Sequence, residues 1–430
     1  MSYKWIKMLL LCSALAGCSS VSLDPIFNDC GAAHALCAPV AANTTAPVVS
    51  AGTASLPAAD VLEPWPGVET SSVAVPAVAI LRPEQLLPVR IALLLPLRSE
   101  TLGAAAEAVR AGFMAAHARD QQGATVSVID TGDAAPQILS AYLEAQPGHD
   151  LIVGPLSRSG VSAVAQSGAV RVPTIALNQP MLATQDEIAA QLPPRMLAMG
   201  LAVEDEARQV ARWASQEHPG ARAFVVGANI AWQRRVSAAF SAEWKRLGLS
   251  SQSVELGITE GYLNANDLAH LRTRLQNAQP ALLLVSMDAG LGRQLRQAIG
   301  TGIPVYGTSQ LNPLVRADNA DSQVDPLLED LHLVDMPWLL QPDHPAVMAY
   351  PRLVNVADQQ DNPDLERLYA LGIDAYRVAR EIAGAHEQFN IDGVTGRLAV
   401  AFGQGRASFE RIVPQAVYQD GAMLLLPGTR

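Results

Sequence analysis

The chain has 430 residues, enough for two or three globular units, and 49% hydrophobic against 17% charged residues make a large core affordable. Its 41 acidic and 30 basic residues leave a formal net charge of -11, which argues against a general nucleic-acid surface, because that needs clustered Lys and Arg. Aromatic residues at 5% suggest no base-stacking platform either.

The N-terminus reads as an address. Lys4 and Lys7 precede an apolar segment, Met8 to Ala16, too short to span a bilayer. It ends in Leu15-Ala16-Gly17-Cys18, which is similar to a bacterial lipobox. That likeness implies a signal peptide over residues 1–17 and lipidation at Cys18. Ser19 follows, not Asp, and by the sorting habits of such lipoproteins this implies the outer membrane, with the chain lipid-anchored and facing the periplasm. The lipid supplies the anchor, so no further membrane segment is needed. Cys30 and Cys37 lie close together in an exported segment and form a candidate local disulfide. No metal pattern accompanies them. Residues 18–87 are rich in Ala, Pro and Ser, nearly uncharged and without periodicity, and read as a flexible, disordered tether.

The folded part is expected from Pro88. Val89 to Leu97, VRIALLLPL, is a continuous apolar run, the mark of a strand buried on both faces. Ser99-Glu100-Thr101 can cap a helix over Ala104 to His117. Strands are expected at Ala124 to Asp130, Asp150 to Pro155, Val172 to Asn178 and Met196 to Leu201, with helices at Ala135 to Gln146 and Ser159 to Gly168. This βαβα alternation gives a parallel sheet.

A second series follows. Helices are expected at Glu204 to His218, Val236 to Leu247, Asn266 to Gln276 and Gly292 to Gly300. Strands are expected at Ala221 to Val226, Ser253 to Ile258, Ala281 to Met287, Ile303 to Gly307 and His332 to Met336. Asp364 to Ala383 is the longest helix of the tail. Gly393 to Gly396 begins a hairpin with strands at Arg397 to Phe402 and Arg411 to Val417, and Met423 to Leu426 is the last strand. The fold class is therefore α/β: two lobes, each a parallel sheet flanked by helices, facing a cleft. The first lobe takes residues 88–198 plus 345–388, the second 199–344 plus 389–430.

In open α/β sheets, ligands bind at the carboxyl ends of strands. The candidate cleft residues are accordingly Arg98, Ser99, Ser157, Arg158, Asn178, Gln179, Trp232, Asp288, Ser309 and Asp335. Each also has a plain structural reading. The Ser157 turn enters a helix and can hold an anion or merely cap that helix. Asn178 can close a turn before Pro180, Trp232 can anchor its helix, and Asp288 reads first as a cap. Arg234, Arg235, Arg293 and Arg296 read as solvated helix faces, and His332 as a structural histidine. Gly154 to Gly160 lacks the G-K-[ST] ending of a phosphate loop. Ser157 is not in a G-x-S-x-G elbow, and no His pair has ligand spacing. No catalytic residue, metal or cofactor is implied.

Five segments carry a family resemblance: IALLLPL from Ile91, IVGPLSRSGV from Ile152, VPTIALN from Val172, LGIDAY from Leu371 and GVTGRL from Gly393. In this order the chain resembles type I periplasmic binding proteins from Pro88 to Arg430, and within that fold it is similar to the LppC/LpoA group of outer-membrane lipoproteins. The resemblance implies a non-enzymatic regulator that binds and activates a class A penicillin-binding protein, a peptidoglycan synthase. The best-known members carry a tetratricopeptide-type helical domain ahead of this module, where this chain offers only the tether. The other reading is a solute-binding lipoprotein of an ABC-type, amino-acid-like uptake system. Arg98-Ser99-Glu100 does not supply the full set with which amino-acid receptors bracket a ligand, so a small-molecule ligand stays an open question.

Overall fold

The computed structural model describes residues 88–426, apart from 121–122, 182–191, 314–324, 354–361 and 404. The signal peptide, Cys18, the Cys30 and Cys37 pair and the tether expected from the sequence lie outside the described residues.

Two sheets organise the chain. The first contains β1 (Val89–Leu95), β2 (Ala124–Asp130), β3 (Leu151–Val153), β4 (Thr174–Ala176) and β5 (Met196–Ala198) in the order β2-β1-β3-β4-β5. Every neighbouring pair is parallel. Ile91, Leu93 and Leu95 of β1 enter one buried cluster, Ala92 and Leu94 another on the opposite face. Helices cover both sides, which is why this strand shows no polar alternation. The flanking helices are α1 (Gly103–Arg119), α2 (Ala135–Ala145) and α3 (Arg158–Gln166).

The chain then crosses into the second unit: α4 (Val203–Glu217), β6 (Arg222–Ala228), α5 (Ala231–Arg246), β7 (Ser250–Leu256), the short pair β8 (Ile258–Thr259) and β9 (Tyr262–Leu263), α6 (Ala265–Ala278), β10 (Leu282–Ser286), α7 (Ala289–Ile299), β11 (Val305–Gly307) and β12 (Leu331–Val334). Local signals set these helices. Glu204, Asp205 and Glu206 occupy the first turn of α4, where negative charge meets the positive helix end. Asn264 caps α6 by accepting from the Asn266 and Asp267 amides, and Asp288 caps α7 by accepting from the Leu291 amide.

The return segment comprises α8 (Pro337–Leu340), α9 (Pro345–Met348), α10 (Pro363–Ala383), β13 (Gln388–Asp392), β14 (Arg397–Ala401), β15 (Ser408–Ile412), β16 (Gln415–Gln419) and β17 (Ala422–Leu425). Asn362 caps α10 ahead of Pro363, a favoured first helical residue. α10 crosses α1 at a pair of glycines. A Cβ on Gly112 would stand 1.9 Å from the Tyr369 carbonyl oxygen, and one on Gly372 2.1 Å from that of Val109. Only two glycines let the helices meet this closely.

The tail departs from expectation in three ways. The second sheet runs β17-β16-β12-β11-β10-β6-β7, and β16 and β17 are antiparallel, so this sheet is mixed. Gly393 to Gly396 joins β13 to β14 instead of opening the first strand, and Pro414 separates β15 from β16 where one strand was expected. Part of residues 389–430 packs on the first core. Ile391, Val394, Leu398, Val400 and Phe402 join the cluster of Ile91 and α10, as do Met336 and Trp338. Only β16 and β17 return to the second sheet. The strand pattern showed that β14 had an apolar face, but the face it packs on is set by distant chain.

Candidate functional site

A cleft of about 460 Å³ opens between the two sheets' carboxyl ends, lined by residues from both lobes. From the first come Arg158, at the first position of α3, and Asn178 and Gln179 after β4. From the second come Glu204 of α4, Trp232 and Arg235 of α5, and Asp288 before α7. Asn178 ties its own loop, donating from Nδ2 to the Leu156 carbonyl at 3.0 Å and accepting from the Gln179 amide at 2.9 Å. Glu204 stands between two arginines: Arg235 Nε donates to it at 2.8 Å, and Arg158 Nη1 lies 3.6 Å away from the other lobe. Trp232 is half-buried, with one side against the α4–α5 core and another on the cleft.

Five of the ten candidates therefore line the cleft: Arg158, Asn178, Gln179, Trp232 and Asp288. Ser157 is a cap, its Oγ accepting from the Gly160 amide at 3.2 Å. Arg98 and Ser99 do not line it. Arg98 pairs with Asp130, and Ser99 Oγ accepts from the Thr101 and Leu102 amides, so both shape the turn into α1. Arg296 corrects the solvated reading: it is buried and donates to the Ile303 and Glu329 carbonyls. Arg235 is exposed, as expected, and lines the cleft beside Glu204. His332 packs tilted against Tyr306 and Trp213, ring centroids 4.7 and 5.5 Å apart, and burial lowers its pKa, in keeping with a structural histidine.

Ser309 and Asp335 lie below the cleft in a buried junction. Asp335 is 1% exposed. It pairs with Arg367 of α10 at 2.8 Å and accepts from Asn312 Nδ2 at 3.0 Å and the Met336 amide at 2.8 Å. Arg367 Nη2 also donates to the Ser309 carbonyl at 2.9 Å, and the Ser309 amide donates to Glu206 at 2.9 Å. One arginine thus bolts α10 to both the β11 and β12 ends. Burial works against the Arg367 cation, but Asp335 outweighs it and holds its pKa above the ordinary value. Glu206 has the opposite balance. Desolvation first, then the Asp335 carboxylate, push its pKa up to about 7 against the Ser309 amide and Arg367.

A second hub explains two sequence motifs at once. Asp374, in LGIDAY, is 0% exposed on its side chain. It accepts from the Val394 and Thr395 amides at 3.1 and 2.8 Å and from Thr395 Oγ1 at 2.7 Å. These belong to the GVTG turn. Arg411 of β15 then joins Thr395 Oγ1 at 3.1 Å to the Gly200 and Met199 carbonyls at 2.8 and 3.1 Å, on the segment between β5 and α4. Glu204, Glu206, Arg367, Asp374 and Arg411 were absent from the sequence candidates. Only Asp374 had a signal there, as the one acid inside an apolar helical stripe.

What converges in the cleft is charge and hydrogen-bonding capacity, suited to recognition. Among the described residues no three His, Cys, Asp or Glu side chains gather as a metal ion would require. No described helix is long and apolar enough to cross a membrane.

Two α/β lobes joined by crossing segments and facing a polar cleft define a periplasmic-binding-protein-like module. Residues 74–421 match the family described as "LppC putative lipoprotein", and the chain belongs to that family. A Vibrio cholerae relative named penicillin-binding protein activator LpoA is 30% identical over 351 residues, 75% of this chain and 56% of the relative. The chain thus spans little more than half the length of that relative. Among solved structures, the LpoA C-domain of Haemophilus influenzae, titled a regulator of PBP1A, superposes with a TM-score of 0.59 at 20% identity, covering 78% of this chain and 99% of that one. A Chromobacterium violaceum protein titled "a putative branched-chain amino acid ABC transporter" has a TM-score of 0.59 at 36% identity, covering 77% of this chain and 100% of that one.

Proposed function

We propose that this protein is a non-enzymatic regulator of peptidoglycan synthesis, an outer-membrane lipoprotein that binds and activates a class A penicillin-binding protein from the periplasmic side. The observation that carries the reading is the 30% identity to a penicillin-binding protein activator across 351 residues, 75% of this chain. The C-domain titled a regulator of PBP1A is matched over 99% of its length, so this module is the part the two chains share. The lipobox-like LAGC with Ser19 supports the anchor.

Activation needs no chemistry from the lipoprotein. It must bind the active conformation of the synthase more tightly than the resting one. A tenfold rise in active population from a small starting fraction takes about 1.4 kcal/mol of differential affinity. The test adds the purified protein to a class A penicillin-binding protein of the same cell and follows glycan polymerisation and peptide cross-linking from lipid II. Saturable acceleration is expected; absence of both binding and rate change would overturn the reading.

The second reading, a solute-binding lipoprotein of an ABC-type uptake system, is favoured by the 36% identity to the Chromobacterium violaceum protein. It requires a free branched-chain amino acid to bind. The cleft lining is chiefly polar, with Trp232 and Leu201 to Val203 its apolar part, so the regulator reading stands first.

A further inference from the structure

A groove opens at the other end of the first sheet, where its strands begin. Its walls are Pro88 and Val89 at the start of β1, Leu151 of β3, Pro173 ahead of β4, and Ile382 and Ala383 in the last turn of α10. The volume is about 710 Å³, more than that of the interlobe cleft. The lining is chiefly apolar; Thr125 and the exposed Arg90–Asp150 pair, 2.8 Å apart, supply its polar part. An open apolar surface of this kind marks a place where something docks.

The chain itself supplies an occupant. Pro88 is the first described residue and is also a wall of the groove, so the residues before it start there. Between Trp65 and Pro88 the Ile and Leu residues are Ile80, Leu81, Leu86 and Leu87, all in the final stretch. At about 3.3 Å of extended chain per residue, Leu86 and Leu87 reach the groove with no intervening loop. Pro83 and Pro88 disfavour helical backbone at Arg82 and Leu87, so an extended segment gives up less freedom when it docks. The family match begins at residue 74, ahead of the described residues, so the family pattern includes this stretch. A segment joined to its own site by so short a link competes at high effective concentration, which favours it over a free partner or a second copy.

We propose that residues 80–87 dock in this groove, Leu86 and Leu87 against Leu151, Pro173 and Ile382, and so belong to the folded module and not to the tether. This goes beyond the synthase reading and does not depend on it. The groove lies at the amino ends of the first sheet and the cleft at the carboxyl ends, so the docked segment makes the tether leave the module on the side away from the cleft. With the anchor that the lipobox-like LAGC implies, the cleft edge then faces away from the membrane.

The test is limited proteolysis of the full chain with a glutamyl endopeptidase. Glu69 and Glu84 give one site ahead of the segment and one inside it, and a synthetic peptide of residues 66–87 sets their relative rates when both are free. Relative to Glu69, Glu84 should be cut about tenfold more slowly in the protein than in the peptide. Ala383→Lys puts a cation into the groove from a half-buried position and should restore the peptide's ratio, its urea midpoint showing that the variant folds. Leu86→Ser combined with Leu87→Ser, measured against a peptide with the same changes, should do likewise; it alters no described residue and decides should Ala383→Lys unfold. The free peptide's ratio in the wild type would overturn the proposal. So would slow cleavage at Glu84 that survives in either folded variant, since the bulk of the nearby fold then explains it, or protection that fades on dilution, which would give the groove to a second copy's segment.

Discussion

Gly372→Ala tests the packing that places α10, and with it the junction below the cleft. The added Cβ would stand 2.1 Å from the Val109 carbonyl oxygen, 2.8 Å from the Phe113 amide nitrogen and 3.0 Å from the Val109 carbonyl carbon. All three are backbone atoms of α1, so no side-chain rotation relieves them. An ordinary carbon–oxygen contact needs more than about 3 Å, so the helices must part by about 1 Å along a contact that runs most of their length. Overpacking of this kind costs about 3 kcal/mol, and the better helix propensity of Ala returns about 1 kcal/mol, leaving about 2 kcal/mol of destabilisation. With a urea slope of about 3 kcal/mol/M, the midpoint followed by circular dichroism should fall by about 0.7 M. Gly112→Ala meets the Tyr369 carbonyl from the other side and should behave alike. Because both act by separating the same pair, the double variant should lose less than the sum. Gly148→Ala is the control, since a Cβ there meets nothing within 4 Å and its φ is not positive; its midpoint should stay put or rise slightly. A wild-type midpoint in Gly372→Ala would refute the close crossing.

Asp374→Ala should be the costliest single change to the tail, about 3–5 kcal/mol in urea unfolding. It strands the Val394 and Thr395 amides and the Arg377 guanidinium together, and a loss below 1 kcal/mol would show that the GVTG turn holds without it. Glu206 makes stability depend on pH. Its folded pKa of about 7 lies above the ordinary 4.5, so its contribution is full below pH 4.5 and is lost as pH rises through 7. That gap is at most about 3 kcal/mol, and less where water reaches the carboxylate. Glu206→Gln keeps an acceptor for the Ser309 amide and should match wild type in urea midpoint near pH 5 while exceeding it at pH 8; parallel midpoints across that range would refute the buried carboxyl.

Periodicity, being local, carried a good part of this molecule. The unbroken run from Ile91 to Leu95 marked a strand covered on both faces, and the alternation that follows marked two parallel series and the carboxyl ends where a cleft must form. Five cleft residues could be named because α/β connectivity places those ends at one edge. Side chains whose partners lie far along the chain left no such trace. Ser309 and Asp335 sit at strand ends as expected, yet Arg367 draws them into the junction instead of the cleft. Arg296, on what reads as a solvated helix face, is buried against the Ile303 and Glu329 carbonyls.

From the sequence alone came the α/β class, the strand and helix order, the lipobox-like address and the family resemblance, because each is written in residues near one another or in segments whose order survives. Tertiary structure alone decided which core β13 to β15 join, which arginines are bolts, and that two glycines must face each other across α1 and α10. Those properties depend on distances between residues tens to hundreds of positions apart, where a shift of 1 Å changes a bolt into a free charge.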